Sequence, residues 1–156
     1  FISFGLDGFA HAAEALVGDR KGQGAFWEMK VVIWRSTLLA FCSAVVIATA
    51  LYFCQSPILT LMTNQHALIE TTGSLWRYVT ILPLVSFLAF QMDGVFVGAT
   101  RSDEMRNSMI VALGSFVLGL YLLPYPGLDA ILTAFIFYLG ARGVFLAIRL
   151  PRLFTS

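Results

Sequence analysis

The residue with the clearest capacity for chemistry is Asp93, which stands in an apolar stretch just before a charged turn. No other charged side chain occurs between Gln91 and Gly98, and the next one along the chain is Arg101. A carboxylate at mid-membrane depth costs a few kcal/mol on insertion scales, so it usually faces a protein interior or a water-filled path. Asp93 is therefore the leading functional candidate, and its setting is typical of a transporter.

A second group of ionisable residues lies near the start of the chain. Asp7 and His11 are four residues apart, and His11 and Glu14 are three apart. This spacing places all three side chains on one face of a helix, within reach of one another. Two interpretations stay open: the stripe packs against a neighbouring helix as a hydrogen-bonded network, or it lines the path of a substrate or ion.

One basic residue is also set deep in an apolar segment. Arg142 precedes Arg149 by seven residues, which places it roughly 10 Å deeper along a helix than the basic cluster at the end of the chain. Its long side chain either extends to the headgroups or pairs with a carboxylate inside the membrane. Arg142 is thus a possible charge partner for an intramembrane acid.

Composition identifies the environment that these residues occupy. Hydrophobic residues make up 58% of the chain and charged residues 12%, with a net charge of +1 and a mean hydropathy of +0.81. Soluble domains carry roughly 25% charged residues, so the composition predicts an all-α integral membrane protein. Because the ten Lys and Arg residues form no basic patch, we expect the lipid bilayer and no nucleic acid as a partner.

Apolar runs and turn residues divide the chain into about five membrane-spanning helices. The predicted spans are Phe1–Gly18, Phe26–Phe53, Ala67–Ala99, Met109–Leu123 and Leu128–Leu150. The short stretch Ile58–Met62 is a connector, and Thr63 to Gln65 form the turn after it. Ser102 is predicted to cap the fourth helix, Pro83 to kink the third, and Pro151 to stop the last.

The basic residues predict how these helices are oriented. They gather in alternate turns and at the end of the chain, whereas the other two turns contribute only Arg77. Basic loops face the cytosol, so the first helix runs inward and the C-terminus is cytoplasmic. On this topology Asp7 and Asp93 both lie near the middle of a hydrocarbon layer about 30 Å thick.

Two segments closely resemble a known transporter family. LDGFAHAAEALVGDRKG at 6–22 and MDGVFVGATRSDEMRNSM at 92–109 are similar to the DinF branch of the multidrug and toxic compound extrusion (MATE) transporters. The resemblance implies that residues 1–156 are the C-terminal lobe, from the end of family helix eight through helix twelve, of a twelve-helix, two-lobe fold. The N-terminal lobe of the same chain would then be absent.

The family's activity would follow from that resemblance. It implies a secondary active antiporter in the bacterial inner membrane that exports cationic or amphipathic organic compounds in exchange for H⁺ or Na⁺. No other cofactor is implied. Asp93 matches the position of a cation-coupling carboxylate in a related branch of the family, whereas Asp7 and Glu14 belong to the branch pattern without a role that can be carried over as firmly.

Two other functions compete with transport. Asp93-Gly94 resembles part of the motif of CDP-alcohol phosphotransferases, but Val97 and Gly98 stand where that family has Ala-Arg, and no aspartate occurs between Asp103 and Asp129. A metal cage of several carboxylates therefore cannot be assembled from this helix pair, and we predict that the protein is not an enzyme. A passive membrane scaffold explains the helices but gives the depth-matched carboxylates no purpose.

Overall fold

A computed structural model describes residues 2–62, 66–124 and 127–154, and within those ranges every regular element is helical. The six α-helices are α1 (Ile2–Gly22), α2 (Phe26–Phe53), α3 (Gln55–Met62), α4 (His66–Gly98), α5 (Ser102–Leu122) and α6 (Leu128–Arg149), followed by a 3-10 helix at Leu150–Phe154. The predicted all-α membrane fold is confirmed. Phe1, residues 63–65, where a turn was predicted, and residues 125–126 lie outside the described ranges.

Four helices in these ranges are long and apolar enough to cross a membrane, over Phe26–Phe53, Thr72–Gly98, Ser102–Leu122 and Leu128–Phe154. The chain is therefore a multi-pass membrane protein. Helix α1 is as long as α5, with 21 residues each, but its sequence is more highly charged. A fifth span through α1 stays a prediction.

Helix α1 continues one turn past Gly18, where the sequence analysis ended it, so that boundary was wrong. A Cβ at Gly18 would lie 3.4 Å from the carbonyl oxygen of Gly98, so this glycine is a contact between α1 and α4. Arg20 and Lys21 occupy the last turn, where cations are favourable at the negative end of the helix dipole. The turn comes later, at Gly24, whose φ is +70°.

The connection from α4 to α5 is short and tightly bonded. The amide of Arg101 donates to the carbonyl of Phe96 and the amide of Thr100 to that of Val97, which is the Schellman pattern of helix C-termini. Thr100 occupies the left-handed position with φ 55°, and Lys21 Nζ donates to its hydroxyl at 3.2 Å and to the carbonyl of Ala99.

The prediction that Ser102 caps α5 is wrong. Ser102 is the first helical residue, and Arg101 occupies the cap position without a side-chain cap hydrogen bond. The physical reason is the shortness of the connection: the Schellman turn already uses Thr100 and Arg101, so no residue is left between it and the helix.

Two proline positions also bear on the predicted bounds. Helix α3 starts three residues before the predicted connector, and Pro57 lies in its first turn, where the missing amide has no intrahelical partner to lose.

Pro83 lies inside α4, which is continuous from His66 to Gly98. A kink there stays a prediction. Helix α6 ends at Arg149, one residue before the predicted end.

Helix α4 is the centre of the bundle and packs against α1, α2 and α6. It runs parallel to α1, because Gly94 faces Ala10 and Gly98 faces Glu14. It runs parallel to α6, since Gly140 faces Val85 and Gly143 faces Ala89.

Helix α2 runs the other way. The Trp76 indole of α4 donates to the Leu51 carbonyl at 2.8 Å, while Gln91 reaches Ser36. These relative directions agree with the alternation predicted from the basic residues. Which end faces the cytosol stays a prediction.

Candidate functional site

Asp93 projects from the C-terminal half of α4 toward α6 and meets Arg142. Arg142 Nη2 lies 2.9 Å from Asp93 Oδ2, and the two side chains are only 15% and 21% exposed. The structure thus favours the pairing of Arg142 with an intramembrane carboxylate over its extension to the headgroups. Two opposite charges held together in a largely buried position form a site that is neutral overall.

The ion pair leaves one polar atom of each partner unused. Asp93 Oδ1 and Arg142 Nε are both buried and make no hydrogen bond within the described part of the chain. An Arg–carboxylate pair often forms two parallel bonds, which would satisfy both of these atoms. The pair therefore has capacity for a further ligand at the carboxylate.

A glycine next to Arg142 explains how the two side chains meet. A Cβ at Gly143 would lie 2.9 Å from the Ala89 nitrogen, which is closer than real Cβ atoms approach. The absence of a side chain lets α6 approach α4 at this level, as small residues do in membrane bundles. Arg142 is adjacent in sequence, so its guanidinium reaches Asp93 one turn further along α4.

Helix α4 makes a second polar contact deep in the bundle, which the sequence analysis missed. Gln91 Nε2 donates to Ser36 Oγ at 2.7 Å, and Ser36 Oγ donates to the Ile33 carbonyl at 3.1 Å. Gln91 is 1% exposed. The sequence did contain a signal for this contact, since the Gln91 amide stands two residues before Asp93 in an apolar stretch. Only the fold shows that Gln91 joins α4 to α2.

The polar stripe of α1 is only partly connected. His11 Nδ1 lies 3.7 Å from Glu14 Oε2, with side-chain exposures of 79% and 44%. Asp7 is half-buried and forms no ion pair with His11 or Glu14, so the three do not form one network among the described residues. The stripe occupies an open face of the bundle, and whether it lines a path stays a prediction.

Glu104 is a buried acid whose surroundings the sequence analysis did not anticipate. It is 3% exposed and lies within ion-pair distance of three arginines. Its carboxylate oxygens are 3.9 Å from Arg101, 3.5 Å from Arg149 and 3.3 Å from Arg152. These contacts join the start of α5 to the end of α6.

A different ion pair joins the N-terminal half of α4 to the first turn of α6. Arg77 Nη2 lies 2.8 Å from Asp129 Oδ1, and the Tyr78 hydroxyl donates to the same oxygen at 2.8 Å. Arg77 had been given no partner from sequence. The pair is substantially exposed, unlike that of Asp93 and Arg142.

An apolar groove of about 770 Å³ lies among α4, α5 and α6. Its walls include Val85, Leu118, Phe137 and Val144, and Ser115 is the one polar side chain in the described lining. Neither Asp93 nor Arg142 lines it, although Gly140 and Ala141 of its wall immediately precede Arg142 on α6.

Comparison with known proteins gives three findings. The MatE family model matches residues 1–125. The chain is 33% identical to DNA damage-inducible protein F of Escherichia coli (strain K12) over 148 residues, which are 94% of this chain and 32% of that protein. It is 25% identical to Protein DETOXIFICATION 44, chloroplastic, of Arabidopsis thaliana over 144 residues, which are 90% of this chain and 27% of that protein.

The match thus spans between about a quarter and a third of the length of these relatives. No solved structure matches it at a significant level.

Proposed function

This chain belongs to the MatE family, and we propose that it forms most of the C-terminal lobe of a secondary active antiporter. The full-length protein exports cationic or amphipathic organic compounds across the bacterial inner membrane in exchange for H⁺ or Na⁺. The rest of the path is supplied by an N-terminal lobe of the same chain. Support comes from the family match and from relatives about three times as long.

The observation that carries the proposal is the position of Asp93. It is a largely buried carboxylate on the central helix of a membrane bundle. Among the described residues it has one ion-pair partner, and one of its oxygens accepts no hydrogen bond. Such groups inside membranes characteristically belong to ion paths and proton relays. A packing role alone would be served equally well by an apolar residue.

The mechanism follows from the presence of one negative charge. A coupling ion and a cationic substrate both gain from contact with Asp93, and the site has one such charge to offer. Binding of either species therefore weakens binding of the other, as reciprocal coupling requires. Competition of this kind couples the movement of the ion in one direction to the movement of the substrate in the other, which is exchange. In this scheme Asp7, His11 and Glu14 line the approach to the site along α1.

The test is Asp93→Asn in the reconstituted full-length protein. Asparagine keeps the size but removes the charge, so gradient-driven efflux should fall at least about tenfold, which corresponds to roughly 1.4 kcal/mol. The amount of folded protein in the membrane should change far less. Asp129→Asn is the matched control, because it also removes a carboxylate paired with an arginine, but in the exposed first turn of α6.

Efflux by Asp93→Asn that still depends on the H⁺ or Na⁺ gradient as in wild type would falsify the coupling role. Turnover that requires a divalent metal would point instead to the phosphotransferase, and the absence of both activities to a scaffold.

A further inference from the structure

We propose that Arg142 is a tethered cation, which occupies Asp93 until a free cation displaces it. This inference rests on the proposed function, in which Asp93 binds the coupling ion and cationic substrate. It adds a third competitor for the same carboxylate, and that competitor is part of the protein. Arg142 is thereby a positioning residue: it holds the Asp93 carboxylate and lowers the affinity of that carboxylate for free cations.

The charge of Arg142 makes competition unavoidable. A guanidinium stays protonated in proteins, so the pair with Asp93 is neutral whenever it is formed. A second cation that approaches the intact pair is attracted by the carboxylate and repelled almost equally by Arg142, and both forces are strong in a poorly hydrated interior. Strong binding of a cation therefore requires the guanidinium to move away.

The geometry of the pair makes that movement feasible. The closest contact is one nitrogen on one oxygen at 2.9 Å, and Arg142 Nε is buried without a hydrogen-bond partner. A two-bond fork would hold the guanidinium more firmly. The α6 backbone is fixed by the contact of Gly143 with Ala89, whereas the charged group is at the end of a flexible side chain that can extend toward the headgroups.

The consequence is a site that binds cations less tightly than its buried carboxylate alone would. Each cation that binds must replace an existing favourable contact, so its affinity is reduced and its release is assisted by the returning guanidinium. Easy release suits a carrier, which has to unload on the opposite side of the membrane.

Tetraphenylphosphonium, an apolar organic cation, tests this in the purified full-length protein at constant pH. Arg142→Gln should bind it about tenfold more tightly than wild type, because a nearby positive charge has been removed. Arg142→Lys, which keeps the charge, should stay within about threefold of wild type. In the Asp93→Asn background, adding Arg142→Gln should produce a clearly smaller gain, because it relieves only the repulsion by the guanidinium and no carboxylate remains for the cation to take over. A double-mutant cycle reports this difference as the coupling of the two residues.

Tetraphenylborate controls for the shape of the pocket, because it matches the probe in size but carries a negative charge. Its affinity should not rise in Arg142→Gln. Three outcomes would each overturn the tethered cation: a gain for both probes, a gain of equal size in the Asp93→Asn background, or no gain for the cation. Unchanged cation affinity would leave the coupling role of Asp93 standing, since that role is tested separately by the gradient dependence of Asp93→Asn.

A measurement on wild-type protein covers the case in which Arg142→Gln does not fold. Phenylglyoxal modifies accessible guanidinium groups, and mass spectrometry reports the extent at Arg142. Tetraphenylphosphonium should increase modification of Arg142 several-fold, because it releases the side chain from Asp93. Equal or reduced modification in the presence of the cation contradicts displacement.

Discussion

Glu104 and Asp103 are adjacent acids that meet very different surroundings. Asp103 is exposed and forms an ion pair with Arg101 at 3.2 Å, whereas Glu104 is buried among three arginines. Both acids lie in the first turn of α5, where the helix dipole favours negative charge. The fold adds a second role to one of them, because Glu104 alone faces α6.

This difference predicts unequal effects on stability. Glu104→Gln removes the buried negative charge that Arg101, Arg149 and Arg152 share, and removing one partner of a buried ion pair costs about 3 kcal/mol. Asp103→Asn disrupts an exposed pair worth at most about 1 kcal/mol. We expect purified Glu104→Gln to melt at a clearly lower temperature than wild type, and Asp103→Asn to melt at almost the same temperature as wild type. Equal melting temperatures would show that the arginine cluster contributes little.

Helices α1 and α4 approach each other closely at two glycines of α4. A Cβ at Gly94 would lie 2.1 Å from the Ala10 carbonyl oxygen, and one at Gly98 would lie 2.3 Å from that of Glu14. Because the obstructing atoms are backbone, neither helix can yield by changing a rotamer. The two glycines therefore hold α1 against the part of α4 that carries Asp93.

Gly94→Ala should accordingly separate the two helices and destabilise the protein by about 1–3 kcal/mol, the usual cost of overpacking. Gly114→Ala on α5 is the matched control, because nothing lies within 4 Å of its added Cβ and alanine is the better helix former. Thermal unfolding in detergent should show a loss for Gly94→Ala and no loss for Gly114→Ala. Similar curves for both variants contradict the tight crossing.

At the scale of the whole molecule, the helix directions form a consistent alternating path. Helices α1, α4 and α6 run one way and α2 runs the other, as their contacts show. The three arginines around Glu104 all belong to the end of the bundle that the basic-residue rule assigns to the cytosol. Arg77 and Asp129 lie at the other end.

Single-cysteine labelling of the full-length protein in intact cells tests this orientation. In a background without other cysteines, Gly22→Cys should be protected from a membrane-impermeant maleimide, and Gly127→Cys should react. Permeabilised cells supply the control, since both positions should then be labelled. Reaction of Gly22→Cys from outside reverses the assigned topology.

The sequence by itself determined the membrane setting and the helices, and it singled out Asp93 as the leading candidate. Long apolar runs favour helices in a bilayer because a helix satisfies its own backbone hydrogen bonds there, and most boundaries came out within a few residues for the same reason. A lone acid such as Asp93 is conspicuous in such a run. The errors at Gly18 and Ser102 arose where local signals were overridden by the contact of α1 with α4 and by the short Schellman turn.

Only the tertiary structure decided which charges meet. Arg142 and Asp93 are 49 residues apart, and their contact depends on the register of α4 against α6, which Gly143 sets by close approach. The same holds for Glu104 with Arg149 and Arg152, and for Gln91 with Ser36. Helical periodicity fixes the face on which a side chain lies, but the rotation and depth of the neighbouring helix fix its partner.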